Sequence, residues 1–232
     1  MSESDFYKTI LIGSSGGIGN ALKNQLIIRF GSKNVICFSR SKDRILDVTD
    51  EDQIASAVEE LKRNSIKSKL LINAVGYLHD ENFLPEKRVS DINSDYLLKS
   101  FKINTLGHAL IVKYFSPLLD HEKLSVLACL SARVGSISDN YLGGWFSYRS
   151  SKAALNQIVK SSSIEFKRRK SNLIFTSIHP GTVNTNLSKP FVKNKKVSSP
   201  SYSAEKILKV INNLRLEDSG NFIDYNGTVV PY

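Results

Sequence analysis

With 232 residues, 41% of them hydrophobic and 23% charged, the chain has the size and composition of one globular domain with a substantial core, with no low-complexity stretch and no internal repeat. No apolar run reaches membrane-spanning length, and the acidic opening "MSESDFYKT" lacks the basic start of a leader, so a cytoplasmic protein without a membrane partner is expected. The net charge of +10 suits an anionic ligand, but the basic runs "KRRK" at 167–170 and "KNKK" at 193–196 have no interleaved aromatics, and nucleic-acid binding is not expected.

Along the chain, short apolar runs alternate with segments of helical period. "TILI" at 9–12 precedes a stripe on Leu22, Leu26 and Phe30; "VICF" at 35–38 and "RIL" at 44–46 precede a helix over 51–63. "LLIN" at 70–73 leads into a long helix over 95–119, and "SVLACL" at 125–130 into a helix over 145–169. "LIFTSI" at 173–178, a helix over 204–214 and "FI" at 222–223 complete the series. Continuous apolar strands separated by helices predict an α/β fold, a doubly wound parallel sheet of Rossmann type in a single domain spanning 1–232. The residues from Arg40 to Ile45 are too few for a crossover helix, so the second helix of such a fold should be missing.

In this fold ligands bind beyond the C-terminal strand ends. The first strand ends in "GSSGGIG", and the turn of Gly13, Ser14, Ser15, Gly17, Ile18 and Gly19 is a candidate phosphate cradle at a helix N-terminus. The second strand ends in "FSRSK" with no acid before Asp43; Ser39 and Arg40 there favour the 2′-phosphate of NADP(H) over NAD(H). Cys37 and Cys129 fall in strand-like runs, as buried free thiols would, and the four histidines show no metal-ligand spacing, so no metal is expected.

Two Tyr-x-x-x-Lys pairs occur, "YRSSK" at 148–152 and "YSAEK" at 202–206. Spacing does not separate them; context does, because only the first follows a strand that ends in serine and opens a helix leading to another strand end, "HPG". Together with Asp47 and Val48, "NAVG" at Asn73, Ala74 and Gly76, Asn104 of "INTLG", and Pro180 and Gly181, these motifs resemble the short-chain dehydrogenase/reductase family over nearly the whole chain. "SARVGSISDN", "GGWFSYRSSKAALN" and "FIDYNG" are most similar to its C-factor and sniffer-type carbonyl reductase branch.

The resemblance implies an NADP(H)-dependent oxidoreductase acting on a small carbonyl or alcohol, with Tyr148 as acid/base and Asn104 in a proton relay. It also implies that Lys152 holds the nicotinamide ribose, that Asp47, Val48, Asn73, Ala74, Gly76, Pro180, Gly181 and Val183 contact the cofactor, and that the protein is a dimer or tetramer. Lys152 is expected to favour the Tyr148 phenolate. The sequence departs from the pattern at "SARVG", where Ala132 stands in the place of the carbonyl-polarising serine; Ser131 takes that role, with Ser136 and Ser138 as other candidate donors. Substrate loops are expected at 77–92, 133–147 and 182–200, with Tyr141, Trp145, Phe146, Leu187, Pro190 and Phe191 as an apolar wall and "KPFVKNKK" as a basic lid. The alternative is a catalytically silent nucleotide-sensing or protein-binding module on the same fold.

Overall fold

The computed structural model describes residues 7–192 and 197–232; the basic run at 193–196 lies outside them. Seven parallel strands form one sheet in the order β3-β2-β1-β4-β5-β6-β7. They are β1 (Tyr7–Ile12), β2 (Val35–Ser39), β3 (Arg44–Ile45), β4 (Lys67–Asn73), β5 (Ser125–Leu130), β6 (Leu173–His179) and β7 (Phe222–Asp224). The central strands are buried on both faces because both are covered by helices, which is why they read as unbroken apolar runs. On one face α1 (Gly17–Phe30) packs with α6 (Pro200–Asn213); on the other lie α2 (Glu51–Arg63), α3 (Ser94–Phe101), α4 (Gly107–Phe115) and α5 (Phe146–Arg168).

The expected missing helix is absent. The chain leaves β2, folds back through Asp43 at φ 60°, and pairs β3 beside β2 with Phe38 opposite Arg44. Ser39 holds this tight link, its hydroxyl donating to the Lys42 carbonyl and accepting from the Lys42 amide at 2.9 Å.

The helix expected over 95–119 differs in detail. It is interrupted by a π-helical turn, Lys102–Leu106, and its α-helical part ends at Phe115. α6 begins earlier than the apolar period suggests, because Ser199 caps the Tyr202 amide and Pro200 occupies the first turn, where it costs no hydrogen bond. The strand order reverses between β1 and β4, and the crevice above that reversal is where a doubly wound sheet binds its ligand.

Candidate active site

Three cavities of about 500, 600 and 520 Å³ run into one another along the C-terminal strand edge. The first lies over β1, β2 and β4 and is walled by Gly13, Arg40, Asp47, Val48, Ala74 and Gly76. The second, walled by Gly17, Ile18, Gly19, Lys152 and Pro180, joins it to the third, where Ser131, Tyr148, Gly181 and Val183 meet the loop after β6. A crevice of this length and connectivity accommodates a dinucleotide with a second ligand at one end.

The glycine turn is built by close approach. Gly13 adopts φ +85°, and a Cβ there would stand 3.0 Å from the Ala74 carbonyl carbon; at Gly19 a Cβ would fall 2.0 Å from the Gly13 oxygen. Gly16 precedes α1 without a side-chain cap, and the first turn of α1 has no acid, so its N-terminal amides face the crevice uncompensated. Ser15 lines the cavity, but Ser14, expected in the cradle, does not. Its buried hydroxyl contacts the Phe38 carbonyl at 3.1 Å and the Asp43 carboxylate at 2.7 Å, tying the glycine turn to the short β2–β3 link. Asn73 also turns inward, its Oδ1 accepting from the Val75 amide at 3.2 Å.

At the first cavity Arg40 makes no ion pair among the described residues, and Lys102 stands on the same wall. Asp47 spends its carboxylate on the Thr49 amide and hydroxyl, both at 2.8 Å. The cationic groups therefore outnumber free acids at this end.

Tyr148 and Lys152 lie one turn apart on α5, both buried. The Lys152 ammonium donates to the Leu130 carbonyl at 3.0 Å, and burial pushes its pKa down to about 8. Burial pushes the Tyr148 phenol up, and Lys152 contributes no opposing shift in this structure. The expected stabilisation of a phenolate by Lys152 is thus not what this geometry provides, because the ammonium is turned onto the strand end. Buried in this way the phenol keeps its proton, the state that a carbonyl oxygen must meet in order to be protonated.

Ser131 follows β5 with its amide donating to the Ile178 carbonyl at 2.8 Å; its hydroxyl is buried and has no hydrogen-bond partner among the described residues. It lines the crevice together with Tyr148. The other candidates are committed elsewhere: Ser136 donates to the Pro231 carbonyl at 2.5 Å, and Ser138 to the Tyr232 carbonyl. Ala132 puts only its methyl on the cavity wall. Asn104 sits within the π-helical turn, buried, its amide bridging the Tyr77 N–H and carbonyl at 2.8 Å each and reaching the Ser151 hydroxyl at 3.1 Å. It fastens the loop after β4 to α5, and the π turn lets it reach both.

Of the expected apolar wall, Trp145, Leu187 and Phe191 line the cavity, with Trp145 and Phe191 edge-to-face at 5.2 Å. Tyr141 is 87% exposed and does not contribute, nor do Phe146 and Pro190. The structure adds Arg133, Arg149 and His179 to this wall and places no carboxylate there. Burial pushes the His179 imidazole down to about 4, so it is neutral at ordinary pH. Its position just before "PG" was the only signal available in the sequence. The second Tyr/Lys pair stands apart: Tyr202 is 44% exposed, with the Lys206 ammonium over its ring. Cys37 and Cys129 are buried free thiols, and among the described residues no cluster of metal-ligating side chains and no membrane-crossing helix occurs.

The profile of the enoyl-(acyl carrier protein) reductase family matches residues 39–221. A 1-hydroxy-2-glutathionyl-2-methyl-3-butene dehydrogenase from Rhodococcus sp. (strain AD45) is 27% identical over 96% of this chain and 98% of its own length. The carbonyl reductase Sniffer of D. melanogaster superposes with TM-score 0.84 at 22% identity, covering 97% of this chain and 100% of that one. An NADPH-bound carbonyl reductase from chicken fatty liver superposes with TM-score 0.82 at 24% identity, covering 97% and 98%.

Proposed function

We propose that this chain, which belongs to the short-chain dehydrogenase/reductase family of oxidoreductases, transfers hydride between NADP(H) and a carbonyl or alcohol substrate, with Tyr148 as acid and base. The observation that carries this reading is the buried Tyr148 phenol in one crevice with the unpartnered Ser131 hydroxyl, one helical turn from Lys152, where the glycine-cradled cavity opens into an apolar one. The residues present fit a dinucleotide: the uncapped amides of α1 and the close approach at Gly13 suit a pyrophosphate, and Arg40 with Lys102 suits the additional phosphate of NADP(H). When bound, the nicotinamide supplies or takes up the hydride.

The chain's own residues do the rest. The Ser131 hydroxyl donates to the substrate oxygen and draws charge onto it. Tyr148 gives its proton to that oxygen in reduction and takes it back in alcohol oxidation. Lys152 would hold the nicotinamide ribose, its ammonium supplying positive charge on the Tyr148 side of the crevice. Asn104 holds the loop after β4 against α5, so that both walls of the crevice keep their spacing. Trp145, Leu187 and Phe191 exclude water from the reacting end. The Rhodococcus relative is named for a hydroxylated substrate, which agrees with chemistry at an alcohol carbon.

The test mixes the protein with NADPH or NADH and a panel of aldehydes, ketones and quinones, following absorbance of the reduced nicotinamide. Oxidation by the wild type, lost in Tyr148→Phe while cofactor still binds, is the expected result. Tight cofactor binding with no oxidation of any panel member favours the silent sensing module instead.

A further inference from the structure

Glu86 is 4% exposed, yet it lies in the loop after β4, far in sequence from the helix that it serves. Its carboxylate accepts from the Ser147 amide at 3.1 and 3.2 Å and from the Ser147 hydroxyl, and its carbonyl accepts from the Trp145 amide at 2.5 Å. Among the described residues no cation pairs with it. A buried carboxylate without a cation persists when N–H and O–H donors and a helix's positive end compensate its charge, and Glu86 has all three.

α5 needs this. Its N-cap position is Trp145, a non-glycine residue in the left-handed region at φ 53°, and no side chain of its own caps it. Its first turn holds no acid. Helices ordinarily begin with a local Ser, Thr, Asp or Asn acceptor; here the acceptor comes from another loop. Tyr148 is the residue after Ser147, and its ring meets Trp145 edge-to-face at 6.2 Å. The loop bearing Glu86 is itself anchored: Tyr96 of α3 donates to the Leu78 carbonyl at 2.5 Å and stacks on Phe83 at 5.5 Å. Asp80 receives Lys99 of α3 and the Tyr77 hydroxyl.

We infer that Glu86 is a positioning residue for Tyr148, an inference that rests on the catalytic reading above: it caps α5 from outside the helix and fixes where the phenol sits relative to the substrate loop. Removing the acceptor frees the first turn of α5, and a displacement of about 1 Å at a reacting group costs about a hundredfold in rate.

The test compares Glu86→Ala, Glu86→Gln and Glu86→Asp in kcat, KM, NADPH affinity and melting temperature, with the panel substrate that the wild type reduces best. Glu86→Ala should lose kcat by about a hundredfold with NADPH affinity within about twofold of wild type. Glu86→Gln, whose amide oxygen still accepts from the Ser147 amide, should recover most of it. Wild-type kcat in Glu86→Ala, or no rescue by Gln, overturns the inference. If Glu86→Ala does not fold, the other two decide: Gln should exceed Asp, whose shorter arm withdraws the acceptor, and Asp equal to or better than Gln overturns it. If the wild type reduces nothing, the catalytic reading fails, and capping is read from hydrogen exchange at the Ser147 and Tyr148 amides, comparing wild type with Glu86→Gln and with Glu86→Ala or, where that does not fold, Glu86→Asp. Exchange faster by about tenfold in Ala or Asp but not in Gln supports it, and equal exchange throughout overturns it.

Discussion

Tyr148 and Lys152 are buried along the crevice wall, the Lys152 ammonium held by the Leu130 carbonyl, whereas Tyr202 and Lys206, at the same spacing, pair on the surface with the ammonium 5.4 Å from the ring centre. Tyr148→Phe should therefore lower turnover by about a thousandfold, within the range for losing a general acid, and leave NADPH affinity nearly unchanged; Tyr202→Phe should change neither. Steady-state kinetics and a fluorescence titration of both variants check this, and equal losses would sink it. Lys152 carries a second prediction with a definite sign. Its folded pKa of about 8 lies below the model-peptide value, so the unfolded chain binds more protons between about 8 and 10.4, and stability gains as pH rises through that window. Below pH 8 the buried ammonium costs stability, by up to about 3 kcal/mol, so Lys152→Met should melt several degrees higher than wild type at pH 7 while losing activity. The advantage should vanish above about pH 10.4; scanning calorimetry at both pH values decides. The place of Tyr148 on the crevice wall was legible in the sequence because strand, serine and helix frame it locally. Glu86 was not, because its partner Ser147 is 61 positions away and no periodicity records that contact.

The link between β2 and β3 shows how counting residues can read an element's absence. A parallel crossover needs a dozen or more residues, and with so few between β2 and β3 the chain instead folds back at Asp43. That shortening leaves Arg40 on the cavity wall without a neighbouring helix, and it draws Ser14 and Lys23 onto Asp43, holding that carboxyl below its usual range. With Asp43 so occupied, Arg40 meets no competing acid on its own link. Arg40→Ala should then weaken NADPH binding at least tenfold and NADH binding by less than about twofold, since a guanidinium–phosphate pair is lost only with the phosphorylated cofactor. Parallel titrations with the two cofactors measure it, and equal losses would remove the 2′-phosphate assignment. Two other element features lay beyond the sequence pattern. The π turn at Lys102–Leu106 has no capping side chain to announce it, and the start of α6 is set by Ser199 and Pro200, capping signals outside its apolar stripe.

At the scale of the whole molecule, the formal charge of +10 was readable at once, but where it acts was not, because charge location follows from folding. The fold brings Lys102 to the same crevice as Arg40 and Lys42 of the β2–β3 link, and places Arg149, together with Arg133, which pairs with Asp139, on the wall of the apolar cavity, whose lining holds no carboxylate. A concave, positively lined crevice concentrates an anionic ligand at a distance set by ionic strength, with a screening length of about 10 Å at 0.1 M and about 3 Å at 1 M. NADPH carries one phosphate more than NADH and should feel that field more strongly. Raising salt from about 0.05 to 0.5 M is expected to increase the KM for NADPH by about tenfold and that for NADH by about threefold, with kcat little changed. The two cofactors also differ in local contact at Arg40, so the Arg40→Ala variant separates the contributions. If the field is collective, that variant keeps most of the salt dependence while losing the cofactor preference. A salt response that disappears with Arg40 alone would place the whole effect on one contact and leave the net charge without a role in binding.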